Sequence, residues 1–245
     1  GQKTEAAVDS RQWKRLTACI SSQVGCAMAC KFCLTGVQGL DRHLQTHEIV
    51  TQIFELRKLA PITNIVFMGM GEPLDNCEAV FNSVDILHET WGLNVSRKRV
   101  TVSTSGIVPM IPKVTEAGVR LAVSLNGVND EIRSEIMPIN KRWPLDELLQ
   151  ACRDHCEASG DKVTFEYVLL KGVTDSLQDA RDLHNLVKSV PCKVNIIPFN
   201  EHPNSGYHRP SEQAIVAFHN ELIRLGTHVL RRRTMGRDIY AACGQ

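Results

Sequence analysis

Seven apolar, β-branched runs alternate with amphipathic stretches along this chain, and that alternation limits the fold more than any single motif does. The runs are "LTACISS" (16–22), "TNIVFMG" (63–69), "RVTVST" (99–104), "VRLAVSL" (119–125), "KVTFEYVLL" (162–170), "CKVNIIPF" (192–199) and "THVLRR" (227–232). Between them, segments 46–59, 77–90, 144–159, 176–189 and 211–226 carry apolar residues at three- and four-residue spacing, which predicts helices. Ser211 before Glu212, and Asp146 in the first turn after Pro144, fit helix starts. Continuous buried strands alternating with helices predict an α/β fold with a parallel sheet. About six βα units predict a barrel, complete or partial. No internal repeat, linker or low-complexity tract breaks the chain. One core domain over 16–245 is therefore expected, after a short N-terminal extension over 1–15.

Composition narrows the class. The 245 residues are 43% hydrophobic and 22% charged with a net charge of +1, which suits a soluble globular chain. That balance excludes a strongly basic nucleic-acid clamp but leaves room for a local basic patch. No apolar run approaches the ~18 residues of a membrane span. The polar start "GQKTEAAVDSRQWKR" lacks the apolar core of a signal peptide, so a cytoplasmic chain with no membrane partner is expected. The nine cysteines are then expected to be mostly reduced thiols. A first residue Gly1 rather than Met suggests a piece of a longer chain.

The residues with chemistry cluster at strand ends. "SSQVGCAMACKFCLTG" follows the first strand, "GMGEP" the second; "STSG" ends the third, "SLNG" the fourth and "PFN" the sixth. In βα barrels the C-terminal rim of the strands carries the active site. Cys26, Cys30 and Cys33 have the spacing C-x3-C-x2-C. Three thiols fall one short of a structural zinc site. They suit an iron–sulfur cluster in which one iron is left for a ligand that is not protein. A zinc loop with a distant fourth ligand, such as Cys19 or His43, is the alternative. In "GMGEP" the glycines allow close backbone approach, and Glu72 offers a carboxylate to an ammonium group or a cap to the next helix.

The C-x3-C-x2-C loop followed one βα unit later by "GMGEP" resembles the radical S-adenosylmethionine enzymes. The resemblance implies a partial (βα)6-type TIM-like barrel, a 4Fe-4S cluster on Cys26, Cys30 and Cys33, and S-adenosylmethionine at the open iron. The stretches "ACISSQVGCAMACKFCLTGVQGLDRHL", "ITNIVFMGMGEPLDN", "RVTVSTSGIVP", "EIMPINK", "CKVNIIPFN" and "AACGQ" are, within that superfamily, similar to the adenine-C2 RNA methyltransferases. These act on an adenosine of 23S rRNA in the peptidyl-transferase centre and on an adenosine beside the anticodon of tRNAs. A sister group methylates carbon 8, and the "QG" after the cysteine loop sides with the C2 enzymes.

Carbon 2 of adenine lies between two ring nitrogens and is too electron-poor to attack a sulfonium methyl directly. The resemblance implies a carrier thiol, Cys243, which takes a methyl from a first S-adenosylmethionine. A second one, bound at the cluster, gives the radical that activates this methyl for addition to carbon 2. Two S-adenosylmethionines are thus used per turnover. Glu5 matches the base if one residue is inserted in "SRQWKR". Cys19 matches the resolving thiol, which attacks the Cys243 sulfur and leaves a disulfide. Gly71, Glu72, Ser103, Ser124, Leu125, Asn126 and Asn200 fall on the S-adenosylmethionine positions; Asn126 stands where many relatives have His. Ser103 and Asn200 have helix capping as their alternative role. The implied partners are 23S rRNA, tRNA and a flavodoxin-type reductant, with the protein a monomer. The family's small N-terminal accessory domain lies outside this sequence. A non-catalytic, zinc-stabilised RNA-binding module is the rival from another class.

Other residues point to packing or to RNA. Cys152, His155 and Cys156 share one expected helix, with no fourth ligand in the pattern, and are expected to pack. Cys77 and Cys192 are expected to be buried. Arg231, Arg232, Arg233 and Arg237, or Arg97, Lys98 and Arg99, are candidate phosphate contacts. The target base has to leave its stack to reach a thiol, which implies folded RNA recognised by shape.

Overall fold

The computed structural model describes residues 15–202 and 205–232. Strand β1 (Thr17–Ile20) leads into a small antiparallel hairpin, β2 (Gln23–Gly25) with β3 (Leu40–His43), whose connection holds the cysteine loop and helix α1 (Leu34–Gln38). There follow α2 (Thr46–Leu59), β4 (Asn64–Phe67), α3 (Cys77–His88), β5 (Val100–Thr104), α4 (Ile111–Glu116) and β6 (Arg120–Ser124). The second half continues with α5 (Asp130–Ile136), α6 (Leu145–Ser159), β7 (Val163–Leu169), α7 (Leu177–Val187), β8 (Cys192–Pro198), α8 (Glu212–Arg224) and β9 (Val229–Arg231).

Seven strands form one parallel sheet in the order β1-β4-β5-β6-β7-β8-β9. Hairpin aside, each strand pairs with the next in sequence, so the sheet winds one way, as a barrel does, and has no point where the order reverses. Six crossovers separate the seven strands. Among the described residues β1 and β9 remain the two sheet edges, so the barrel is partial, as expected. No described helix is long and apolar enough to cross a membrane.

The two faces of the sheet differ because strand side chains alternate. Ile20, Ile65, Phe67, Val102, Leu121, Val123, Phe165, Val194 and Ile196 are nearly inaccessible and form the core against the helices. Each such large apolar side chain contributes about 1.5–3 kcal/mol when fully buried. The concave face takes the alternate positions and is polar. It carries Cys19, Ser103, Arg120, Ser124, Thr164, Glu166, Lys193 and Asn195, with Ser124, Glu166 and Asn195 in one register row.

Helix ends follow local chemistry. Gln45 and Glu48 form a capping box on α2, Ser176 and Asp179 do the same on α7, and Ser211 caps α8 through the Ala214 N–H. The hairpin and the short helices α1, α4 and α5 were not signalled by the apolar periodicity. Gly25 is required in the hairpin: its φ is +79°, and a Cβ there would stand 1.9 Å from the Gly39 carbonyl oxygen.

Candidate active site

The cysteine loop is folded back over the C-terminal mouth of the barrel. Cys26 N–H donates to Gly39 O (2.9 Å), Lys31 N–H to Ile136 O (2.9 Å) and Cys33 N–H to Cys30 O (3.1 Å). Phe32, between two of the thiols, is buried in a second apolar cluster with Ile136, Met137, Val168, Leu170, Ile197 and Phe199. His202 donates from Nε2 to the Phe32 carbonyl at 3.1 Å. A loop that leaves β2 is thereby anchored on the strand ends across the barrel.

Cys26, Cys30 and Cys33 are half-buried, and their charges act on one another. Burial pushes the Cys26 thiol up to about 11; the fields of Glu72, Cys33 and Asp75 add to it, and a hydrogen bond from the Met28 backbone opposes. Cys30 is raised further, by burial first and then by Cys33, Cys26 and Glu72, against the opposing charge of Arg133. Two desolvated thiols beside a third suit a polycationic core. A metal centre both removes the protons and neutralises the thiolates. Three thiols on one loop, with no fourth protein ligand in the spacing, are the donor set of a cluster that leaves one iron open.

"GMGEP" lies against the start of the hairpin. Met70 O accepts from Ser22 N–H (2.9 Å) and Gln23 N–H (3.2 Å). Gly71 has φ +101°, and a Cβ there would meet Gln23 Cβ at 2.5 Å, so only glycine fits. Glu72 is 3% exposed. Its Oε1 accepts from Leu74 N–H (3.1 Å), and its Oε2 accepts from Ser105 N–H (2.6 Å). It therefore caps the turn Pro73–Asp75 and staples the β4 loop to the β5 loop. Burial raises its pKa, and the hydrogen bonds from Ser105, Thr104 and Leu74 oppose that rise. The ammonium role drawn for Glu72 thus sits beside a structural one that occupies both oxygens.

The other expected binding residues line the same mouth. Ser103 and Ser124 are half-buried at the ends of β5 and β6. Leu125 is buried, and its carbonyl accepts from Arg133 Nε at 2.8 Å. Asn126 is held at φ +54° and is 2% exposed; its Oδ1 accepts from Val168 N–H at 2.9 Å, and its Nδ2 points at Met137 Sδ at 3.3 Å. Asn200 is buried just past β8. Neither Ser103 nor Asn200 caps a helix.

Cys19 opens to solvent on the concave face of β1. Enough protein surrounds its thiol that desolvation raises the pKa, while Arg232 and the Met68 backbone pull it down. Cys243 and Glu5 lie outside the described residues, as do Arg233 and Arg237.

Arg97 pairs with Asp85 (2.8 Å) and donates to Ala117 O (3.0 Å), and Lys98 pairs with Asp161. They brace the N-terminal end of β5. Arg231 pairs with Glu212 at the surface. Cys77 and Cys192 are half-buried, not buried. Cys152, His155 and Cys156 do pack inside, with Thr115 Oγ1 2.8 Å from His155 Nδ1.

Two site residues escaped sequence reading. Gln23 is fully buried; its Oε1 accepts from Glu72 N–H (2.7 Å) and its Nε2 donates to Asp75 (2.9 Å) and His43 (3.0 Å). Arg133 is also fully buried and donates to Leu125 O, Ser124 O, Ser105 O and Asn140 Oδ1. Desolvation pulls its pKa down to about 10. Its signal was a charge three residues before Ile136 on the buried stripe of α5.

Comparison with known proteins settles the family. Residues 20–184 match the model of the Radical SAM superfamily. The chain belongs to the radical SAM superfamily. Membership carries with it the 4Fe-4S cluster and S-adenosylmethionine as cofactors. A dual-specificity RNA methyltransferase RlmN from Bdellovibrio bacteriovorus is 64% identical over 100% of this chain and 62% of its own length. The protein of the same name from Geotalea uraniireducens is 50% identical over 94% of this chain and 68% of its own. Within the superfamily the chain falls in this methyltransferase family. It spans about three fifths to two thirds of those relatives' length. The crystal structure of a radical SAM methyltransferase from Sphaerobacter thermophilus superposes with a TM-score of 0.91 at 46% identity, covering 94% of this chain and 70% of that one. The hydrogenase maturase HydG, 15% identical with a TM-score of 0.69, shares the fold alone.

Proposed function

We propose that this protein is a radical SAM methyltransferase that methylates carbon 2 of an adenosine in 23S rRNA and of an adenosine beside the anticodon in tRNAs. One observation carries the reading: Cys19 opens to solvent on the concave face that leads to the mouth covered by the three-thiol loop. A thiol that has to meet a base and a second thiol needs that exposure, and a packing cysteine does not. Identity of 50–64% to named RNA methyltransferases over nearly all of the chain supports it.

When bound, the cluster and S-adenosylmethionine supply a carbon-centred radical. The chain's own residues do the rest. Cys26, Cys30 and Cys33 hold the cluster; Gly71, Glu72, Ser103, Ser124, Leu125, Asn126 and Asn200 form the cofactor cradle. Cys243 carries the methyl group, so that carbon 2 never has to act as a nucleophile. Glu5 takes the carbon-2 proton, and Cys19 releases the product by attacking the Cys243 sulfur. The protein works as a cytoplasmic monomer fed by a flavodoxin-type reductant, with two S-adenosylmethionines consumed per turnover.

The test is anaerobic incubation with S-adenosylmethionine, reductant and a ribosomal RNA fragment, followed by nuclease digestion and mass spectrometry. 2-Methyladenosine is expected, and Cys243→Ala should abolish it while leaving the cluster spectrum intact. 8-Methyladenosine, or methylation by Cys243→Ala, would overturn the reading.

A further inference from the structure

Side chains from both edges of the sheet meet inside the barrel. Arg232, which follows β9, puts Nη1 3.6 Å from Glu166 Oε2 and 3.5 Å from the Met68 sulfur. Met68 follows β4, the strand that β1 pairs with in the register Cys19 to Val66 and Ile20 to Phe67. Cys19 is on β1, the opposite edge from β9. The guanidinium therefore lies against the residue that follows β4, the strand paired with β1, and its charge lowers the Cys19 pKa against the rise from burial. Its brace is built: Glu166 is 5% exposed, and Asn195 Nδ2 donates to its two oxygens at 3.1 and 3.0 Å. Lys193 acts on Glu166, and Arg15 and Arg120 act on Lys193; Arg232 is the charged group that acts on Cys19.

A fold does not need this arrangement. The pair joins a buried carboxylate to a partly solvated arginine in a lumen that in other barrels is filled by branched apolar side chains. Burying an ion pair seldom stabilises a protein on balance. Its location next to an exposed thiol does have a use, because a neighbouring cation favours thiolate over thiol.

We propose that Arg232, braced by Glu166 and Asn195, is the positioning residue that steadies the Cys19 thiolate for its attack on the Cys243 sulfur. This rests on Cys19 being the resolving thiol of the proposed reaction. The Cys19 proton leaves to water at the solvent-open face. A lone pair of the thiolate forms the sulfur–sulfur bond as the bond from Cys243 sulfur to the adenine-bound methylene breaks. The electron pair of that bond stays on the methylene carbon, which takes a proton from water and becomes the methyl group. The two sulfurs give up two electrons in becoming a disulfide and the carbon takes them up in becoming methyl, so no outside oxidant enters.

The test is alkylation of Cys19 by iodoacetamide in the anaerobic holoenzyme, followed at the Cys19 peptide by mass spectrometry across the thiol range of about pH 6 to 10. Loss of an adjacent charge lowers the thiolate fraction about tenfold, and the gain in intrinsic nucleophilicity returns about threefold, so Arg232→Met should react about threefold more slowly near neutral pH. Its pH profile should move upward, and Arg232→Lys should restore most of the rate. A thermal melt identifies any variant that is not folded. Parental alkylation by folded Arg232→Met, or an Arg232→Lys no faster than Arg232→Met, overturns the proposal. Cys19→Ala tests the underlying reading separately: RNA should accumulate covalently bound to it, and normal turnover would show that Cys19 resolves nothing, whatever its alkylation rate.

Discussion

Gln23→Leu tests how the hairpin and "GMGEP" are joined. Gln23 is fully inaccessible, and its Oε1 is the acceptor for the Glu72 N–H at 2.7 Å. Leucine has nearly the same volume, so no cavity opens. What is lost is the partner of one N–H in a buried residue, about 1–3 kcal/mol, and a hydrogen bond to the Asp75 carboxylate, about 1.5–3 kcal/mol less what water returns to that exposed group. The sum is about 3 kcal/mol, which for a chain of this size is a fall in Tm of about 6–12 °C. The same loop holds Gly71 against Gln23 Cβ, so S-adenosylmethionine affinity should fall with it. Differential scanning calorimetry and calorimetric titration of the reconstituted protein read both quantities. Gln23→Glu separates the two halves. It keeps the acceptor for Glu72 but turns a second oxygen toward Asp75, so it should be destabilised at neutral pH and recover on acidification. A Gln23→Leu protein that melts within about 2 °C of the parent would refute the reasoning, because a buried N–H left unpaired has to cost more than that.

Two further outcomes follow from the geometry. Arg133→Met takes the guanidinium from Ser105 O, Ser124 O and Asn140 Oδ1, while Leu125 O keeps the Gly127 N–H, and should cost about 3 kcal/mol or more in chemical denaturation, with Arg133→Lys recovering part of it. Paired arginines hold the Glu48 and Glu221 carboxyls down from 4.5 to about 2. Their contribution is complete above pH 4.5 and is lost as pH falls toward about 2, so melts over that window should show Tm dropping, and Glu48→Gln should flatten part of the slope.

Much of the barrel was legible because its strands are buried runs and its long helices keep a clear period. The expected 46–59 segment coincides with α2, and the expected 144–159 segment exceeds α6 by one residue. The elements that went unseen are short: β2 and β3 have three and four residues, α5 has seven and α4 has six with a proline near its start. None is long enough to display a period. The cysteine loop and "GMGEP" were visible because spacing within a few residues defines them. The Glu72–Ser105 bond, Gln23 and Arg133 were not, because their partners lie 33, 49 and 28 residues away and are brought together only by the curl of the sheet. The polar concave face was hidden for a related reason. "VTFEYVLL" reads as continuous core, yet Glu166 within it points to the lumen, where Asn195 and Arg232 receive it.

The account stands or falls on what three thiols hold, and an anaerobic iron and sulfide assay with electron paramagnetic resonance of the reduced protein measures it most directly. It predicts about four irons and four sulfides per chain, lost in Cys30→Ala, and a spectrum that changes when S-adenosylmethionine is added. A colourless protein with one zinc, or a cluster whose spectrum ignores S-adenosylmethionine, would contradict it.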